Sequence, residues 1–250
     1  VGADDARQDQ LAAGVDALSE HPVATAIVAG HGDAPLAAVE QFEALTQVSA
    51  ANNPFSEMVD GLISERGDAA IVLGCGPVGL ACIAELRMRG IGPIVAADFS
   101  PKRRQLAEQL GADVVVDPRE TAAIDAWRKI DGVRPLVIFE AVGVPGMIEQ
   151  AMRMAPRDAR FLVVGACMQE DRIHPMLGIG RELNIQFVLA YSPDEFTGAL
   201  TALADGRIDL APWLTGTVDV DGVPQAFADL GDPEAHAKIL VVPGSAAATS

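Results

Sequence analysis

Ala69-Ala70-Ile71-Val72-Leu73-Gly74-Cys75-Gly76-Pro77-Val78-Gly79 decides the fold of this 250-residue chain. Five apolar residues, enough for one buried strand, run directly into a Gly-x-Gly-x-x-Gly turn. An apolar helical pattern follows, then a second apolar run, Ile94-Val95-Ala96-Ala97, that ends in Asp98. Strand, glycine turn, helix, strand and acid form the layout of a dinucleotide-binding βαβ unit. The glycine pattern alone is weak. Its place after a strand and before a helix, with an acid nineteen residues past Gly79, makes it specific.

Each position has a physical task. Gly74 permits the tight turn out of the strand, Gly76 lets backbone approach a pyrophosphate, and Gly79 lets helix and strand pack closely. Pro77 suits the first helical position, with Val78 behind it, so the free N–H groups and positive dipole end of the helix face the phosphates. A carboxylate at Asp98 accepts hydrogen bonds from an adenosine ribose 2′-hydroxyl and repels a 2′-phosphate, which favours NAD over NADP. Ser100-Pro101 reads as the cap and first residue of the next helix. Of the two cations behind it, Lys102 and Arg103, one is placed to reach the ribose from outside, the alternative being a solvated helix face, which is preferred for Lys102.

The alternation continues. Val114-Val115-Val116 is a third strand, and Ile124 to Ile130 ends a helix. Leu136-Val137-Ile138-Phe139 is a fourth strand that ends at Glu140-Ala141-Val142-Gly143, and a helix covers roughly 145–154. Phe161 to Val164 is a fifth strand ending at Gly165, and Leu183 to Ala190 a sixth. Runs this short, β-branched and apolar belong to strands covered on both faces. The expected fold is α/β, a doubly wound six-stranded parallel Rossmann sheet of order 3-2-1-4-5-6. Ligands bind at the C-terminal strand ends of such sheets. Val142, Val164 and Gly165 are therefore expected to flank a nicotinamide ring, the alternative being plain turn residues.

Composition narrows the class. A formal charge of −17 argues against nucleic acid or an anionic membrane surface as partner. Three dispersed cysteines, Cys75, Cys82 and Cys167, suit a reducing compartment. No secretory leader pattern opens the chain and no stretch reads as a membrane span, so the expected location is cytoplasmic.

From about residue 67 to 243 the chain resembles the coenzyme-binding part of zinc-type medium-chain dehydrogenases/reductases, the alcohol dehydrogenase family. The likeness is carried by Gly67 to Leu80, Ala97 to Arg103, Leu110-Gly111-Ala112-Asp113, Phe139 to Gly143 and Val163-Val164-Gly165. Arg181 to Ile185 and Ala237 to Val241 complete it. The resemblance implies NAD-linked oxidation of an alcohol or reduction of a carbonyl. It implies contact of Arg103, five residues past the acid, with the adenosine ribose. It also implies a homodimer joined edge to edge through the sixth strand, Asn184 to Tyr191.

In that family a separate barrel-like domain supplies the catalytic zinc ligands and a hydroxyl-to-histidine proton relay. Neither has a counterpart here. The four histidines, His21, His31, His174 and His236, form no ligand-spaced cluster with Cys, so no metal site is expected. Residues 10–45 instead resemble the start of the nucleotide-binding domain of heavy-metal P-type ATPases, through Ser19-Glu20-His21-Pro22 and Val39 to Leu45. The expected organisation is a helical segment over 1–66, an NAD-binding domain over 67–210, and a tail over 211–250 that in the family packs on the catalytic domain. Here the apolar tail strands, Leu214 to Val218 and Ile239 to Val242, need another partner, either the N-terminal helices or a second chain. Three readings stay open: a dehydrogenase of the alcohol dehydrogenase type, a non-catalytic NAD-binding module, and a fusion remnant joined near residue 50.

Overall fold

The computed structural model describes residues 67–188, 193–209 and 211–243. The expectations for residues 1–66 and for the end of the sixth strand lie outside these. Six parallel strands form one sheet: β1 (Ala69–Leu73), β2 (Ile94–Ala97), β3 (Val114–Val116), β4 (Leu136–Glu140), β5 (Arg160–Val163) and β6 (Asn184–Phe187). Their order is β3-β2-β1-β4-β5-β6, as the sequence predicts. Between them lie α1 (Pro77–Met88), α2 (Pro101–Gln109), α3 (Ala123–Ile130), α4 (Met147–Met154) and α5 (Pro175–Arg181), and after them α6 (Pro193–Ala204).

The near-continuous apolar strands are explained by cover on both faces. Side chains alternate along a strand, so Ala70 and Val72 of β1, Val137 and Phe139 of β4, and Leu162 of β5 face one way. There they meet Leu80 and Ile83 of α1, Leu106 of α2 and Ala202 of α6. Ala69, Ile71 and Leu73, with Ile138 and Phe161, face the other way, onto Ile124 and Trp127 of α3 and Ile148 and Met152 of α4. Ile71, Ile94 and Ile138 are fully buried, each worth about 1.5–3 kcal/mol over the exposed state. At the N-terminal end of the sheet the buried Asp68 pairs with Arg160, binding the approach to β1 to the start of β5 across β4.

The sixth strand is assigned over Asn184–Phe187, and the Val188 amide still donates to the Val163 carbonyl at 3.0 Å. One local expectation changes. The tail strands find their partner in each other. β7 (Leu214–Val218) and β8 (Lys238–Val241) pair in parallel, joined through α7 (Val223–Asp229), with Thr217 opposite Leu240. The residues before them, Trp213 and Ala237, are buried in the same core as Leu80 and Cys82. The tail is thereby anchored on the α1 face of the main sheet.

The join between β1 and α1 is the tightest point. Any Cβ on Gly79 would overlap the carbonyl oxygen of Gly74. The obstacle is backbone, which cannot rotate away as a side chain does. Gly79→Ala is therefore expected to destabilise the fold by about 3 kcal/mol or more, measured by urea unfolding. A variant with an unchanged midpoint would show that the turn gives way without cost.

Candidate functional site

The chain leaves β1 toward β2 on one side and returns from β3 to β4 on the other. The C-terminal ends of β1 and β4 therefore open a crevice, the position where ligands bind in such sheets. Gly74 turns the chain out of β1 at φ +88°, and its amide donates to the Ala97 carbonyl at 2.8 Å. A Cβ there would lie 2.8 Å from Val142 Cγ2, so the turn after β1 is in contact with the turn after β4. Gly76 is the N-cap of α1, at φ −70° and ψ −177°. A Cβ on Gly76 would have nothing within 4 Å. The missing side chain thus keeps open space above the turn, whereas at Gly74 and Gly79 it avoids collision. Pro77 is the first helical residue. The amides of Val78 and Gly79 precede the first turn-closing bond of α1, from Leu80 N to Gly76 O at 2.9 Å, and belong to the open, positive end of the helix.

Asp98 follows β2, facing the glycine turn. Its Oδ2 accepts the Cys75 amide at 2.7 Å and its Oδ1 the Ser100 amide at 2.8 Å. The acid thereby joins the turn to the start of α2. Ser100 caps α2 as the sequence predicts, its Oγ accepting from Arg103 N at 3.0 Å. Arg103 is half-buried, and its Nε is buried without a hydrogen-bond partner. Burial and the Asp98 charge push the Cys75 thiol well above its ordinary pKa, so Cys75 is a packing residue and not a nucleophile.

Lys102 departs from its expected solvated role. Its Nζ donates to the Ala235 carbonyl at 2.6 Å, and Ser100 Oγ lies 3.4 Å from the Pro233 carbonyl. The tail is thus strapped onto the start of α2, beside Asp98. Nothing in the sequence singles out Asp117 and Arg119, because their place depends on β3 lying beside β2. Arg104 Nη1 donates to the carbonyls of Asp98 at 2.7 Å and Phe99 at 2.9 Å, and to Asp117 at 3.2 Å. Arg119 also binds Asp117, and its guanidinium sits 5.3 Å from the centroid of the exposed Phe99 ring. These bonds, the one to Arg119 first, hold the Asp117 carboxyl well below the usual carboxylate range.

On the other side of the crevice, Val142 is half exposed while Val164 is buried. Gly165 packs against Gly143: a Cβ on Gly165 would lie 2.5 Å from Gly143 N. The ends of β1, β2, β4 and β5 carry Gly74, Gly76, Pro77, Val78, Gly79, Asp98, Val142, Val164 and Gly165 along one edge of the sheet, and Arg103 follows on the first turn of α2. Among the described residues no group of three His, Cys, Asp or Glu side chains is arranged to hold a metal ion. No described helix is long and apolar enough to cross a membrane.

The model of a family described as zinc-binding dehydrogenase matches residues 77–205. The chain is 33% identical over 183 residues to (R,R)-butanediol dehydrogenase of Bacillus subtilis, covering 72% of this chain and 52% of that protein. It is 27% identical over 177 residues to L-idonate 5-dehydrogenase (NAD(P)(+)) of Escherichia coli, covering 71% and 51%. The chain spans about half the length of the curated relatives it matches. Among solved structures, 2R,3R-butanediol dehydrogenase from Bacillus subtilis superposes with a TM-score of 0.69 at 29% identity, over 81% of this chain and 56% of that one. L-idonate 5-dehydrogenase from Escherichia coli gives 0.71 at 25% identity, over 84% and 58%.

The ion pairs at Asp117 make a pH-dependent contribution. A carboxyl whose pKa is lowered by folding stabilises the protein above its unfolded pKa of about 4, and the contribution is lost as pH falls below that value toward the folded one. Asp117→Asn is expected to lower the thermal midpoint at pH 7, and the gap to the unaltered protein should narrow steadily below pH 4. A gap that stays constant down to pH 2 would show that the carboxylate charge is not its cause.

Proposed function

The chain belongs to the zinc-binding dehydrogenase family, and from that premise we propose that residues 67–210 bind NAD(H) in the crevice between β1 and β4 for hydride exchange with an alcohol or carbonyl substrate. The observation that carries this reading is the space over Gly76. The turn leaves room for a pyrophosphate where any larger residue would intrude, at the positive end of α1 and next to a carboxylate at the end of β2. Butanediol and idonate dehydrogenases among the relatives support the alcohol or carbonyl class.

In this reading each group has one task. The amides of Val78 and Gly79 bind the pyrophosphate. Asp98 accepts the adenosine ribose hydroxyls and repels a 2′-phosphate, which selects NAD over NADP. Arg103, half-buried on the first turn of α2 five residues past Asp98, donates to the same ribose. Val142, Val164 and Gly165 bound the nicotinamide, and their apolar surface excludes water from the ring. Bound there, the nicotinamide supplies a hydride acceptor or donor at C4. The tail, over residues 211–243, is strapped beside the ribose acid by Lys102 and offers an apolar groove lined by Pro77, Phe227, Leu230 and Ile239. We assign a homodimer to β6, the outer strand of the sheet among the described residues. Exposed Phe187 on that edge, and exposed Met176 and Ile179 on α5 before it, support the assignment.

Calorimetric titration tests the reading. NADH is expected to bind more tightly than NADPH, and Asp98→Ala to cost NADH about tenfold or more in affinity while shifting the preference toward NADPH. Gly76→Ala is expected to change the unfolding free energy in urea by no more than about 0.5 kcal/mol, since its Cβ meets nothing, yet to weaken NADH at least about tenfold. No heat at millimolar NADH would overturn the proposal. NADH binding without turnover of any alcohol would point to a non-catalytic NAD-binding module.

A further inference from the structure

Glu140 is a carboxylate buried at the crevice itself, 1% exposed, at the end of β4. Its Oε1 accepts two backbone amides, Val142 N at 2.7 Å and Gly143 N at 2.8 Å. Its own carbonyl accepts two more, Val164 N at 2.9 Å and Gly165 N at 2.8 Å. Its Oε2 lies against Gly165, where a Cβ would come within 2.9 Å of it. One residue therefore holds both turns on the β4–β5 side. Those turns are interlocked: Gly143, at φ +72°, leaves no room for a Cβ, which would stand 2.8 Å from Ala166 N.

Burying a carboxylate is expensive unless it is well bonded, and a Met of similar length would fill the same space without that cost. The acid supplies the acceptor for both turn amides, and with it a defined position. A charge-assisted bond to two successive amides sets the height and tilt of the Val142–Gly143 peptide, and Oε2 set against Gly165 links the acid to the second turn, whose bonds to the residue 140 carbonyl are backbone and stay in any variant.

We propose that Glu140 is the positioning residue for the nicotinamide half of the cofactor. It never touches the ring and acts through the two turns that bound it. The inference rests on the NAD(H) reading above. It separates the crevice into two independently held halves, the adenosine half organised by Asp98 and the nicotinamide half by Glu140.

The test is a split between ligands. NADH and ADP-ribose, which lacks only the nicotinamide, are titrated into the unaltered chain and into Glu140→Met, Glu140→Asp and Glu140→Gln. Met keeps the length but accepts nothing. Asp keeps the charge but withdraws it by one methylene, and Gln keeps an acceptor in place. Met is expected to weaken NADH about tenfold while ADP-ribose stays within about twofold. Asp should give the same split to a smaller degree and serves where Met does not fold, and Gln should restore most of the NADH affinity. Amide hydrogen exchange at Val142 and Gly143 should quicken in the Met and Asp variants, with β1 unchanged. Equal weakening of both ligands, or unchanged NADH binding, would overturn the role of Glu140 while leaving the cofactor reading intact. An unaltered chain that binds neither ligand would overturn the cofactor reading itself.

Discussion

Everything in this molecule depends on a backbone-to-backbone approach at one corner, where α1 leaves the turn after β1 with Gly79 against the Gly74 carbonyl. That contact lets α1 lie flat on the sheet, so that Leu80 and Ile83 reach Val72, Val137 and Phe139. The same contact aims the N-terminus of α1 into the crevice between β1 and β4. A bulkier residue at 79 would lift the helix, and both the core and the crevice would lose their shape together.

A second constraint is electrostatic. The chain is acidic, with a formal charge of −17, yet Lys102, Arg103 and Arg104 at the start of α2 and Arg119 after β3 gather around the end of β2. Most of this charge is committed. Arg104 and Arg119 hold Asp117 and the Phe99 carbonyl, and Lys102 holds the tail. These bonds fix the loop that carries Asp98 while Arg103 Nε is left without a partner.

The parts of the crevice that were legible in the sequence are those whose task is carried by a single residue type. Gly74 and Gly79 are recognised because only glycine tolerates their positions, and Gly76 because a missing side chain there leaves the space above the turn open. Asp98 is recognised because its distance from the turn is set by one helix and one strand. Glu140 and Asp117 are different. An acid at a strand end is ordinary in sequence, and its significance arises from amides and guanidinium groups that sequence neighbours do not all supply. Lys102 reads as a solvated helix residue because its partner, Ala235, lies 133 residues away. The tail strands were expected to need an outside partner, since two short apolar runs give no sign that the connection through α7 lets them pair in parallel.

The sequence by itself determined the α/β class, the order of the six strands and the place of the glycine turn, because buried strands, caps and left-handed turns are enforced locally by side-chain shape and hydropathy. Tertiary structure alone decided how the crevice is held: which amides Asp98 and Glu140 accept, where the tail is strapped, and which arginines hold Asp117. Those are contacts between segments far apart in the chain, and their energies depend on distance and burial that no local pattern encodes.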